Sequence, residues 1–200
     1  MTASESPSLA DSFELIRSRF GDPDFLRCRG ISNEVPFYVF PYDAACEDEV
    51  RERTAELVAA SRAGSIPARI VDFDLWDIFC GICGYYDIVD DLERMERERG
   101  SEALLAHIRE LAMPEDYVRA MRERYGRDFG GMQAGRDVLL VTGVGKTYPF
   151  VRAHDILENA QPAFDGVPFV LFYPGLYDQT SLRLFNSIAD GNYYRAFTLL

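Results

Sequence analysis

The sequence predicts an α/β fold: a three-layer domain built on a mostly parallel sheet of four or five strands. Three observations carry this. Short β-branched and aromatic runs alternate with segments of helical period, the pattern of a sheet covered by helices on both faces. The runs Asp137–Thr142 and Val167–Tyr173 are almost continuously apolar, as parallel strands buried on two faces must be. The chain's 200 residues are 48% hydrophobic and 13% aromatic, enough to build one core and to exclude wholesale disorder.

Leu9, Phe13, Ile16 and Phe20 recur at helical spacing behind a candidate cap, Ser8, and Gly21-Asp22-Pro23 marks a turn. Pro36–Tyr42 reads as a buried strand bounded by prolines. Glu47, Asp48 and Glu49 suit the first turn of a helix that buries Val50, Leu57 and Val58 and stops at Gly64. Arg69–Leu75 is the next strand. A helix is expected from Trp76 to Arg99, ending in a mixed-charge solvated face. Two more helices follow, with apolar faces Leu104/Ile108/Leu111 and Tyr117/Val118/Met121/Tyr125, so residues 76–126 form a helical insertion between two strands of a single domain spanning 1–200. After the Asp137–Thr142 strand comes a Gly-rich turn and a helix over Pro149–Ala160. A strand ending at Pro174-Gly175 and a short edge strand within Tyr193–Leu199 complete the chain.

The 33 acidic and 21 basic residues give a formal charge of −12. Residues 146–200 are near neutral, with 4 basic and 5 acidic groups, so the acidity lies in the first 145. A phosphate-backbone binder needs a basic footprint, which disfavours direct nucleic-acid binding. Met1–Pro7 lacks the basic and apolar regions of a signal peptide, and no apolar run is long enough to span a bilayer. Four cysteines make no disulfide scaffold. A cytoplasmic protein without membrane contact is expected.

Lys146 is the only lysine among the 21 basic residues, and it sits in Thr142-Gly143-Val144-Gly145-Lys146-Thr147, between a strand and a helix. That context resembles a phosphate-binding loop, in which backbone N–H groups cradle the anion and Lys neutralises it. The fingerprint needs a glycine where Leu140 stands, however, and Pro149 follows almost at once. Gly143, Gly145, Lys146 and Thr147 are therefore a candidate reduced anion turn, with a purely structural turn as the simpler reading. Cys80-Gly81-Ile82-Cys83 lies inside a helical pattern, where packing is expected over redox or zinc chemistry. His107 reads as a boundary residue. Arg152 and His154, two positions apart, do not share one face of a helix. Asp72, Asp74 and Asp77 cluster at a strand end, as a solvated end or a helix cap rather than a Mg²⁺ site. No catalytic group, metal or cofactor is expected.

Three blocks and the tail together are more specific than any of these. They are Pro36–Asp43, Leu140–His154, Phe169–Gly175, then Leu182–Phe185 with Asn192–Phe197. In this order they resemble the BrxB family, small proteins of bacterial BREX anti-phage systems. Two departures are Leu176, where many members carry an acidic residue, and Ala153 in place of Ser. The resemblance implies a non-catalytic adaptor in a multi-gene defence complex, with the PglZ-type protein of the same locus as leading partner and other BREX subunits beside it. The expected functional surface is the strand-end edge with Lys146, Arg152 and His154, together with Tyr193, Tyr194, Arg195 and Phe197, whose chemistry matches interface hot spots or equally a plugged sheet edge. Tyr85-Tyr86 is a second exposed aromatic pair with the same two readings. The alternatives are a nucleotide or anion sensor using the turn, and an RNA- or DNA-binding regulator.

Overall fold

The computed structural model describes residues 8–29, 35–193 and 195–200. The leader reading of residues 1–7 and the interface reading of Tyr194 lie outside them. Five parallel strands form the main sheet in the order β2-β3-β4-β1-β7: β1 Phe37–Tyr42, β2 Arg69–Asp74, β3 Asp137–Thr142, β4 Phe169–Tyr177 and β7 Phe197–Thr198. The chain moves from β1 to the far edge at β2, then steps back through β3 to β4. The helices that follow these two directions of travel lie on opposite faces, as the usual right-handed crossover requires.

One face is covered by α1 (Leu9–Arg19), the single turn α2 (Pro23–Leu26) and α3 (Glu47–Arg62), the other by α4 (Leu75–Tyr85), α7 (Pro114–Phe129) and α9 (Ala153–Ala160). The strands feed both layers through their two-residue alternation. Phe169, Leu171 and Tyr173 of β4 pack with Tyr117, Met121 and Ile156, while Val170 and Phe172 pack with Phe13, Leu57 and Val58. Phe13 meets Phe40 and Phe172 edge-on at 6.0 and 5.9 Å between ring centroids. Burying a side chain of this size stabilises by roughly 1.5–3 kcal/mol, so α1 is held mainly by packing. Its start is fixed by Ser8 and Asp11 in a reciprocal capping box.

The helical insertion between β2 and β3 comprises α4, α5 (Val89–Arg99), α6 (Ser101–Leu111) and α7. The single helix expected over Trp76–Arg99 is broken. Asp87 takes a left-handed φ of 52°, and Ile88 N–H and Asp87 N–H donate to the carbonyls of Cys83 and Gly84, a Schellman ending that no glycine announces. The helix expected over Pro149–Ala160 also resolves into two pieces, a single turn α8 (Val144–Thr147) and α9. Finally, β4 does not stop at Pro174-Gly175. It runs on to Tyr177 and folds back as an antiparallel hairpin, β5 (Ser181–Leu184) and β6 (Ile188–Asn192), which joins the sheet to the C-terminal edge of the strands. No helix among the described residues is long and apolar enough to cross a membrane.

The insertion is tied to the sheet by one buried carboxylate. Asp137, fully buried at the start of β3, receives both Nε and a terminal nitrogen of Arg69 at 2.7 Å, the Tyr125 hydroxyl, and Gln133 N–H at 2.8 Å. Arg69 also donates at 3.1 Å to the carbonyls of Phe129, the last residue of α7, and of Gly131 just beyond it. Removing one partner of such a pair leaves the other charge buried and uncompensated. Asp137→Ala is expected to cost about 3–5 kcal/mol of unfolding free energy, measured by urea denaturation. A loss below about 1 kcal/mol would mean that the pair behaves like an exposed one.

Candidate functional site

The carboxyl ends of β2, β3 and β4 meet at one edge, where crevices form in parallel sheets. Parallel pairing sets Asp74 beside Thr142. The Asp74 carboxylate then serves two elements: Oδ1 accepts from Trp76 N–H at 2.9 Å and caps α4, and Oδ2 holds the Lys146 ammonium. The lone lysine is thus neutralised from within the chain, while staying partly exposed. Gly143 makes the approach possible. Its φ is +80°, and a Cβ there would collide with Asp74 Oδ1. Thr147 is fully buried, and its hydroxyl donates to the Gly143 carbonyl at 2.8 Å. Gly143, Gly145, Lys146 and Thr147 therefore come together as a compact turn in which Asp74 holds the Lys146 ammonium and the Gly143 carbonyl accepts from both the hydroxyl and the N–H of Thr147. Gly145 lies under the Phe185 ring.

A second constellation joins α9 to the hairpin. Arg152 stands at the N-cap of α9 rather than inside it and donates to the Ala189 carbonyl at 3.3 Å. His154 places Nδ1 2.5 Å from the Asp190 carbonyl and Nε2 3.1 Å from Asp155. Both residues turn toward β6, so the structure brings together two side chains whose spacing placed them on different helix faces. The frame is close-fitting, because a Cβ on Gly191 would strike the His154 ring.

Behind them lies Asp190, 1% exposed. Its Oδ2 accepts from Ala153 N–H at 3.3 Å and from the buried Tyr173 hydroxyl at 3.2 Å, and Oδ1 has no partner among the described residues. Burial raises the carboxyl pKa above its ordinary value, partly offset by those two hydrogen bonds and by the His154 and Arg152 charges. Sequence reasoning missed both Asp190 and Tyr173. Asp190 sits in an unremarkable Ala-Asp-Gly run, and its contact with His154 spans 36 residues of chain. Only knowledge that β6 exists would have found it.

The C-terminal residues divide. Tyr193 is buried, with the Tyr177 hydroxyl 2.9 Å from its carbonyl, and Phe197 lies in edge strand β7 with its ring 5.9 Å from that of Tyr38. Arg195 is exposed and donates to Gln161 Oε1 at 2.8 Å. Of this group Arg195 presents its side chain to solvent, whereas Tyr193 is buried in the core and Phe197 is half-buried in the edge strand. His107 is half-buried on α6. Cys80 and Cys83 lie mid-helix, both pushed up in pKa by desolvation, with Asp77 and Asp74 adding to the rise at Cys80. That is the opposite of an activated thiol. Asp72 pairs with Arg62 at 3.1 Å. No group of three metal-ligating side chains occurs among the described residues.

Comparison with known proteins adds the following. Residues 71–199 match the family model described as BREX protein BrxB. A BREX protein BrxB of Bacillus cereus (strain H3081.97) is 35% identical over 188 residues, 92% of this chain and 94% of the relative. Another, from Escherichia coli O9:H4 (strain HS), is 28% identical over 197 residues, 97% of this chain and 92% of the relative. No solved structure matches the chain.

Two substitutions test the geometry. Gly143→Ala forces a left-handed alanine against Asp74 and is expected to cost about 1–2 kcal/mol or more. Gly81→Ala, with open space around its site on α4, is expected to be neutral or to stabilise by up to about 1 kcal/mol; urea midpoints separate the two. For Asp190, the folded chain takes up the proton before the unfolded chain does as pH falls. Its buried charge therefore costs stability fully above the raised pKa, and that cost disappears as pH drops toward the ordinary carboxylate range. Asp190→Asn, which keeps the acceptor, should gain on the parent as pH rises from 4 to 8 (about one pKa unit corresponds to about 1.4 kcal/mol). A pH-independent gap would show that Asp190 is not a charged group in that site.

Proposed function

The chain belongs to the BrxB family and is thus a BREX component, and from that premise we propose that it serves phage defence as a non-catalytic assembly subunit that binds the PglZ-type protein of its locus. The observation that carries this is the pair of apolar side chains left outside at the strand-end edge, Leu176 (54% exposed) and Phe185 (40% exposed). Leu176 stands on β4 opposite the exposed Arg183 of β5, and Phe185 reaches over Gly145 beside Lys146. Apolar anchors within a charged rim are the chemistry of protein interfaces. The polar side chains of this edge, Lys146, Thr147, Arg152 and His154, are already engaged inside the chain, so they shape and rigidify the face. Arg195 adds an exposed guanidinium. The charge of −12 favours encounter with a basic surface and discourages stray contact with DNA.

Size exclusion with light scattering, on this protein mixed with the PglZ-type protein, tests the role. A stable complex is expected at micromolar concentration. Leu176→Asp with Phe185→Asp is expected to weaken it by about 30-fold or more, the effect of losing one interface hot spot. Two separate peaks from the parent proteins would remove the PglZ-type partner from the proposal. The sensor alternative makes a different demand: nucleotide binding that Lys146→Ala abolishes while partner binding persists. A nucleic-acid regulator would show steeply salt-dependent binding to RNA or DNA.

A further inference from the structure

The outer face of α7 has no partner within the chain. Tyr117, Val118, Met121 and Tyr125 turn inward and are buried, whereas Glu115, Arg119, Glu123 and Arg127 are exposed. Each of these four stands one i,i+4 step from the next, so together they form a single ridge of alternating sign. Grooves of about 540 and 620 Å³ flank the ridge, one toward α4 and the other toward α9. A ridge between two grooves is the shape against which another helix packs.

The ridge is not consumed by its own helix. Arg119 turns back to Asp116 at 2.5 Å and Arg127 turns to Asp128 at 2.8 Å. Glu115 and Glu123 form no ion pair within 4 Å among the described residues. The two arginine pairs are exposed and weak, so their guanidinium groups exchange partners at little cost. Two copies of a chain of charge −12 repel over most of their surfaces. On α7 that repulsion vanishes, because the helix carries four acidic and four basic residues.

The order of the signs then selects the occupant. Glu115 and Arg127 each lie six positions from Met121, and Arg119 and Glu123 each lie two. An antiparallel copy centred there sets Glu115 against Arg127 and Arg119 against Glu123, each contact made twice by symmetry. A parallel copy in register sets like charge against like. Gly126, where an added Cβ would meet nothing within 4 Å, leaves room for close approach on this face. Tyr85 and Tyr86, 83% and 44% exposed along the α4 groove, add apolar area at its rim.

We propose that the α7 face is an isologous interface with a second copy of this chain, the two α7 helices packing antiparallel about position 121. A helix of 16 residues is about 24 Å long, so the interface is small. A dissociation constant on the order of 10 μM is expected. The interface shares no residue with the strand-end edge, so each copy keeps that edge free and the pair presents two. Failure of the PglZ-type complex leaves this inference standing, and the converse also holds.

Sedimentation equilibrium of the full chain, between about 1 and 200 μM, tests the interface. The parent is expected to approach twice the mass of one chain at the upper end. Arg119→Glu and Glu123→Arg each turn two attractive contacts repulsive and should weaken association about tenfold. Glu123→Arg also lowers the net negative charge, so diffuse repulsion alone would make that variant associate more tightly than the parent. Both positions are exposed, and unchanged urea midpoints establish that the variants fold. Mixing the two variants restores opposite charges at both contacts, and so does combining both changes in one chain. Each is expected to associate within about threefold of the parent. A parent that stays monomeric throughout, single variants that associate as the parent does, or a mixture no tighter than its components would each overturn the interface.

Discussion

The register between β2 and β3 is the constraint from which the rest of the molecule follows. Four helices separate these strands in the chain, so local geometry cannot align them. The alignment is made at their first residues, where Arg69 faces Asp137 and the buried ion pair also gathers Tyr125 and two carbonyls at the end of α7. Five residues on, the same register sets Asp74 beside Thr142 and therefore within reach of Lys146. An error of one residue at Asp137 would turn every side chain of β2 to the wrong face. The polar contact at one end of the sheet thus decides the geometry of the edge at the other.

At that far edge the chain spends its polar groups on holding itself together. Asp74 caps α4 and neutralises Lys146, Thr147 closes its own turn, and Asp190 receives the start of α9. The β5–β6 hairpin is clamped on by Arg152 and His154, which reach its backbone carbonyls. A rigid face with its charges paired, and with Leu176 and Phe185 left outside, is suited to being held by another protein. Pre-organisation of this kind reduces the ordering cost of association.

Much of the fold was legible because strands buried on two faces have an unmistakable composition. Asp137–Thr142 and Phe169–Tyr173 are the clearest cases. The hairpin was not legible. Leu182 and Leu184 alternate correctly, but the strands are short, and although Asn186 suits a left-handed turn position, the left-handed Phe185 before it does not advertise one. The break at Asp87 was hidden in the same way. In the site, Lys146 was visible as a lone lysine and Asp74 as a cap, yet their pairing depends on a crossover of 72 residues. Asp190 left no mark at all, since a single carboxylate becomes informative only when its burial is known. The aromatic tail could be read as interface or as edge; Tyr193 is buried in the core, and Phe197 is half-buried in edge strand β7 beside β1.

The central claim is that the strand-end edge, built by the β2–β3 register and finished by the hairpin, is the face through which this protein joins its complex. Amide hydrogen exchange of the chain alone and with the PglZ-type protein tests that claim most directly. Protection on mixing is expected in the segments 143–148 and 176–188, with α1 and α3 on the opposite side of the sheet unchanged. Protection confined to the α1–α3 face, with the hairpin exchanging as it does in the free chain, would contradict it.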